Sequence, residues 1–339
     1  MGRAVKPLLA ARAGAWHKRA MQPRDPKLAH AFDLAEAGRT AEAMTIIERL
    51  AGLGEPEALF TLADIHWRGG PVPQDFARGR TLFRRASDAG HPMALRAYTN
   101  LLANGIAGPA DWPAAIRRLR AEAQMDARRA QMLALIEQMD LDEKGDPKSL
   151  PAGRQLSDVP KVTLFEGAFT PDECDFLILV AEPTYEGSLV KDDFGGDVRN
   201  PIRTSDGSTI HWLIEDPAIH AINRRLAALS GTGVEQGEAL QILRYRPGQQ
   251  YHPHVDWLGE ENARILTALI YLNDDYAGGE TAFIKTGLKV RGRKGDALVF
   301  SSIDAEGRFE PLSEHAGLPV TSGTKYLASR WIRAGRHAA

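Results

Sequence analysis

The feature that most constrains this fold is an internal repeat. Gly54-Glu55-Pro56-Glu57-Ala58 realigns with Gly90-His91-Pro92-Met93-Ala94 at an offset of 36. The same step carries Ala94 to Ala130, Gly69 to Gly105 and Asp75 to Asp111. It also superposes Ala41–Leu50 on Ala77–Ala86 and on Pro113–Glu122. Each unit reads as two helices. In the second unit Ala58, Leu59, Leu62, Ala63 and Ile65 form one apolar helical face. Gly69-Gly70-Pro71 ends that helix, and Asp75 is placed to cap the next. Such a unit cannot bury its apolar face alone, so neighbouring units stack into an α-solenoid.

The pattern of Ala58, Leu59, Leu62, Ala63 and the following glycines resembles the Sel-one-like repeat, a relative of the tetratricopeptide repeat. The resemblance spans residues 30–140 and departs from the pattern at His66 and Trp67, near the usual tyrosine. The third unit has Asp126 where glycine recurs, as a terminal cap would. Two uses are open: a concave surface that binds a partner or presents a protein substrate, or a scaffold that only packs.

Composition excludes some classes. With 339 residues two domains are expected, and a net charge of −2 gives no global basic field for nucleic acid. No apolar run reaches the length of a membrane helix. The one cysteine, Cys174, excludes an intrachain disulfide and suits a reducing, cytoplasmic setting. Residues 1–29 are basic, with no acid before Asp25 and no serine in that run, and are expected to form a flexible tail. Residues 141–157, charged and carrying Pro147, Pro151 and Gly153, read as a linker.

From residue 158 to 335 the period changes. Thr170-Pro171-Asp172-Glu173 opens a capped helix that carries Cys174 as a core thiol, and Pro217–Leu229 reads as a second helix. Six short strands are expected: Leu240–Tyr245, Leu266–Leu272, Thr281–Ile284, Ala297–Phe300, Leu312–Ala316 and Tyr326–Ile332. The fold class is therefore a helical repeat followed by a double-stranded β-helix, or jelly roll, with flanking helices.

Within this half lies Tyr251-His252-Pro253-His254-Val255-Asp256. On a strand, His254 and Asp256 would share a face. His315 follows, and two imidazoles with one carboxylate make the facial triad of non-haem iron oxygenases. His252 shares the parity of His254 and is a rival ligand or a hydrogen-bonding support. His211 and His220 read as surface or packing residues.

The segments LQILRYRPGQQYHPHVDW, ALIYLNDDYAGGETAF, GDALVF and HAGLPVTSGTKYLASRWIR stand in this order. Together they resemble the prolyl 4-hydroxylase branch of the Fe(II)/2-oxoglutarate-dependent dioxygenases, over residues 160–334. The resemblance implies that His254, Asp256 and His315 hold Fe(II). It implies that Lys325, with Tyr245 and Thr281, holds the distal carboxylate of 2-oxoglutarate, and that ascorbate keeps the iron reduced. Tyr251 and Trp257 take either substrate-facing or packing positions, and Arg333 matches a basic position without a clear role. Lys191–Ser208, with Arg203 and Ser205, resembles the family's substrate loop, which implies a peptide or protein substrate. A free amino acid or small molecule stays open as substrate, as does a non-enzymatic repeat adaptor. Oligomeric state is not legible.

Overall fold

The computed structural model describes residues 26–187, 190, 191, 197, 198, 202–259 and 261–337. The expected basic tail lies outside the described residues as far as residue 25, as do residues 192–196 and 199–201 of the expected substrate loop. Two compact units divide the chain between Ala110 and Asp111.

The first unit holds helices α1 (Pro26–Glu36), α2 (Thr40–Gly52), α3 (Pro56–Arg68), α4 (Phe76–Asp88) and α5 (Pro92–Asn104). The repeat pattern explains their punctuation. Asp75 caps α4 by accepting the backbone N–H of Arg78, and the ring of His91 caps α5 through Ala94. Gly105 closes α5 at φ 70°, a left-handed conformation that glycine adopts without strain. Ala63, Phe83, Ala86 and Leu101 are buried between helices. Gly79 lets α4 approach α3, for a Cβ there would stand 3.2 Å from the Trp67 ring.

The second unit begins with α6 (Trp112–Ala123) and α7 (Ala127–Gln138). The division therefore falls inside the stretch 30–140 expected to form one array. The physical reason is packing: α7 lies against α9 (Pro217–Ser230), and Arg224 of α9 pairs with Asp146 at 2.6 Å. The degenerate third unit is also explained. Asp126 accepts the backbone N–H of Arg128 and so caps α7 itself, one residue earlier than the repeat would place a cap.

Residues 141–157 are a built segment and not a plain linker. Asp142 takes backbone N–H bonds from Lys144 and Asp146, and Leu141 bridges Pro147. Gly153–Ser157 is β1, the edge strand of the main sheet, paired with β2 (Val162–Phe165). Gly153 is needed there because a Cβ would meet the Phe165 ring at 2.8 Å.

The capped helix α8 (Pro171–Ala181) has its full capping box at Thr170 and Glu173. The remaining strands, in chain order, are β3 (Glu186–Gly187), β4 (Val190–Lys191), β5 (Asp197–Val198), β6 (Asp206–Thr209), β7 (Gln241–Tyr245), β8 (Tyr251–His254), β9 (Arg264–Tyr271), β10 (Ala277–Gly278), β11 (Thr281–Phe283), β12 (Lys289–Val290), β13 (Ala297–Ser301), β14 (His315–Gly317), β15 (Val320–Ser322) and β16 (Lys325–Arg333). The main sheet runs β1-β2-β13-β9-β16-β7-β6-β3, and a smaller one runs β12-β11-β14-β8. Leu243, Leu269, Tyr271, Phe300 and Leu327 of the main sheet pack with Phe283 and Val290 of the smaller one. The opposite parity of the main sheet, including Ile242, Ala268, Ile270 and Ala328, is fully buried as well, and α8 and α9 pack on β7 and β9. With both faces covered, β9 reads as a nearly continuous apolar run. This is the expected jelly roll with flanking helices. One strand is shorter than expected: Pro311–Ser313 forms a 3-10 turn, and only His315–Gly317 pairs.

Candidate functional site

Strands β14 and β8 are antiparallel neighbours in the smaller sheet, and their register sets His315 directly opposite His254. Their ring centres lie 4.3 Å apart. Each ring is oriented by the same device. His254 Nδ1 lies 2.8 Å from the carbonyl of His252, and His315 Nδ1 lies 3.0 Å from the carbonyl of Ser313. A carbonyl only accepts, so each Nδ1 carries a proton, and Nε2 is the ring atom each histidine has left to offer a metal. The two Nε2 atoms face Asp256, at 3.7 Å from Oδ1 and 3.5 Å from Oδ2. The three ligand atoms lie within 4.8 Å of one another.

The sequence predicts that the strand pleat places Asp256 beside His254, and the structure differs. Strand β8 ends at His254, and Asp256 follows in irregular backbone. Its carboxylate is instead caught by Thr267 of β9, whose hydroxyl donates to Oδ2 at 2.6 Å. His252 is exposed and stands outside the cluster; its carbonyl, not its ring, serves the site.

Electrostatics keep the cluster ready for a cation. Burial, followed by the neighbouring His315, pushes His254 down to about 3, so its ring is neutral. Burial alone would raise Asp256, but His315, His254, Arg264 and the Thr267 hydroxyl outweigh it and hold the carboxyl at about 2. A neutral imidazole, as at His254, and an ionised carboxylate, as at Asp256, are states that ligate metal.

A cavity opens beside this cluster, walled by Leu243, Leu269 and Leu327. Lys325 lines it, at the start of β16 and opposite Tyr245 of β7. Its Nζ donates to the carbonyl of Gly279 at 2.7 Å and lies 5.6 Å from the ring centres of Tyr245 and Tyr271. Among the described residues no carboxylate pairs with it. Burial pushes its pKa down to about 8. A buried ammonium without a counter-ion is costly unless an anion joins it.

Thr281 and Tyr245 line the same cavity. The Thr281 hydroxyl meets the hydroxyl of Tyr271 at 3.0 Å. Sequence reading missed Tyr271 and Thr267. The available signal was parity: Thr267, Leu269 and Tyr271 alternate on β9 and share the face that looks into the cavity.

Other residues fall differently. Arg203 lines the cavity 5.1 Å over the Tyr251 ring, and Tyr251 stacks on His254 at 3.5 Å. Ser205 is buried nearby in the chain. Trp257 stacks on Phe309 at 5.1 Å and does not line the cavity. Arg333 bonds Glu238 at 2.8 Å, beside Arg264, and is structural. His220 is buried and meets Glu215 at 2.7 Å, and Cys174 is a buried thiol raised by burial to about 12.

Comparison with known proteins adds a family. Residues 240–333 match the model of the 2OG-Fe(II) oxygenase superfamily. Prolyl 4-hydroxylase 1 of Arabidopsis thaliana is 36% identical over 195 residues, covering 51% of this chain and 69% of that protein. The chain belongs to the prolyl 4-hydroxylase-like 2OG-Fe(II) oxygenases. Probable prolyl 4-hydroxylase 6 of the same plant is also 36% identical, over 52% of the oxygenase chain and 70% of its own. A solved structure, the viral collagen prolyl hydroxylase of Paramecium Bursaria Chlorella virus-1 with 2OG, is 26% identical, with a TM-score of 0.41, covering 51% of this chain and 96% of its own. The oxygenase is thus a 2-oxoglutarate-dependent dioxygenase that uses Fe(II).

Proposed function

We propose that this oxygenase hydroxylates a C–H bond of a peptide or protein, at proline. In this reading His254, Asp256 and His315 hold Fe(II), and Lys325, Tyr245 and Thr281 hold the distal carboxylate of 2-oxoglutarate. The observation that carries it is Lys325: a buried cation with no carboxylate paired to it among the described residues, in one cavity with the two-histidine, one-carboxylate cluster. The donor set fits Fe(II) and leaves room on the metal for further ligands. With Fe(II) and 2-oxoglutarate bound, dioxygen would be the oxidant and 2-oxoglutarate its two-electron co-reductant: one oxygen atom would enter the substrate as hydroxyl, the other succinate, with loss of CO2.

The protein's own part is placement. Lys325 binds charge to charge at one end of the cosubstrate, and Leu243, Leu269 and Leu327 exclude water along its length. The peptide substrate is supported by the names of the Arabidopsis relatives, which are prolyl 4-hydroxylases. Ascorbate as reductant belongs to the same proposal. So does kinship of the helical units with Sel-one-like repeats, which would bind a partner or present the substrate protein. A cytoplasmic setting is supported by a chain whose one cysteine is a buried thiol.

Two measurements test this reading. Anaerobic Fe(II) with 2-oxoglutarate is expected to give a weak visible charge-transfer band that His254→Ala abolishes; no band would overturn the cofactor assignment. Mass spectrometry of proline-containing peptides is expected to show a gain of one oxygen that requires iron and 2-oxoglutarate. Turnover of free proline alone, undiminished when peptides are absent, would favour the small-molecule alternative.

A further inference from the structure

The two histidines of the cluster are fixed twice, by β8–β14 pairing and by a carbonyl two residues back on each Nδ1. Asp256 has neither constraint, because it follows the end of β8. Among the described residues, the side chain that hydrogen-bonds its carboxylate comes from the other sheet. Thr267 lies within β9, opposite Phe300 of β13 and Trp331 of β16, so its backbone is locked on both sides. Its hydroxyl donates to Asp256 Oδ2 at 2.6 Å, and both residues are almost fully buried. A hydroxyl donating to an ionised carboxylate at this length is a strong, charge-assisted bond.

We propose that Thr267 is the positioning residue of the metal centre: by donating to Oδ2, it fixes the Asp256 carboxylate in place and favours Oδ1 as the oxygen offered to the metal. The inference rests on the iron reading above and deepens it. A carboxylate free to rotate would leave the metal without a fixed third ligand. With Oδ2 tied back to the main sheet, a metal here would be held by two nitrogens from the smaller sheet and by Oδ1 of a residue anchored to the larger. Arg264 reinforces the arrangement from behind. It stacks on the ring of Trp331, the cross-strand neighbour of Thr267, at 3.8 Å and is paired to Glu238 at 2.7 Å.

The test is metal binding without turnover, using Mn(II) as a redox-stable probe read by electron paramagnetic resonance. Thr267→Val keeps the β-branched shape and removes the donor; Thr267→Ser keeps the donor. Valine is expected to weaken Mn(II) binding roughly 10- to 100-fold, the usual effect of losing a group that orients a ligand. Serine is expected to restore most of the wild-type affinity, and melting curves of the metal-free proteins check that each variant folds. If valine does not fold, Thr267→Ala against Thr267→Ser gives the same comparison. A valine or alanine variant that binds Mn(II) like wild type, or a serine variant as weak as valine, overturns the proposal. Failure of the iron reading looks different: the wild type would bind no Mn(II), or His254→Ala would bind it unchanged.

Discussion

His315 stands directly across from His254 on the neighbouring antiparallel strand, and each ring is pinned by a carbonyl two residues earlier in its own chain. The histidine half of the cluster is therefore a cross-strand pair, fixed by register and not by loop conformation. Loss of either ring is expected to abolish the anaerobic Fe(II)–2-oxoglutarate band. His252→Ala is expected to keep both the band and the metal affinity, since His252 contributes only its carbonyl. A band lost in His252→Ala would show that its ring takes part.

The repeat punctuation predicts local stability. Asp75 and Asp111 lie 36 residues apart and cap their helices through the N–H groups of Arg78 and Ala114, each at 2.9 Å. Replacing either by alanine is expected to cost about 1 kcal/mol. The urea midpoint of the corresponding transition measures this. Asparagine, which keeps the acceptor oxygen, is expected to recover most of the loss.

Much of the site was legible because local rules wrote it. The capping box at Thr170 and Glu173 needs only four neighbouring residues, and the order of the motifs pointed to His254, Asp256, His315 and Lys325. Residues chosen by long-range pairing were not legible. Thr267 and Tyr271 matter because β9 lies across the cavity from Asp256 and Thr281, and no local pattern states that pairing. Strand β1 was hidden because Gly153–Ser157 is a largely exposed edge strand with no apolar alternation. The allegiance of α7 was hidden because its partner, α9, is far along the chain.

Tyr271 links packing to the cosubstrate end of the cavity. Its ring is fully buried, and a Cβ at Gly292 would meet it at 2.1 Å. Gly292→Ala is expected to destabilise the protein by roughly 1–3 kcal/mol through overpacking. Tyr271→Phe keeps the ring and removes the hydroxyl bonded to Thr281. It is expected to raise KM for 2-oxoglutarate about fivefold, equivalent to about 1 kcal/mol for one hydrogen bond, with a smaller change in kcat. Equal losses in KM and kcat would point to a general collapse of the site.

Burial of Lys325 costs the ligand-free fold stability. Burial lowers its pKa from 10.5 to about 8, so between those values the unfolded chain holds a proton that the folded chain has released. Stability therefore rises with pH across that window, and at neutral pH the fold carries the whole penalty, roughly 3 kcal/mol. Lys325→Met removes the charge. The ligand-free variant is expected to melt higher than wild type, by somewhat less than the full penalty because the Gly279 carbonyl loses its donor. It is also expected to gain nothing from added 2-oxoglutarate, whereas wild type is stabilised by mass action. The same titration sets the pH dependence of binding. If the anion meets only the charged lysine, affinity for 2-oxoglutarate is flat below about pH 8 and falls about tenfold per unit above it, with proton uptake on binding. Calorimetry in two buffers of different ionisation enthalpy measures that uptake. A variant that melts lower than wild type and still binds 2-oxoglutarate would show that Lys325 is a structural group and that another cation receives the ligand.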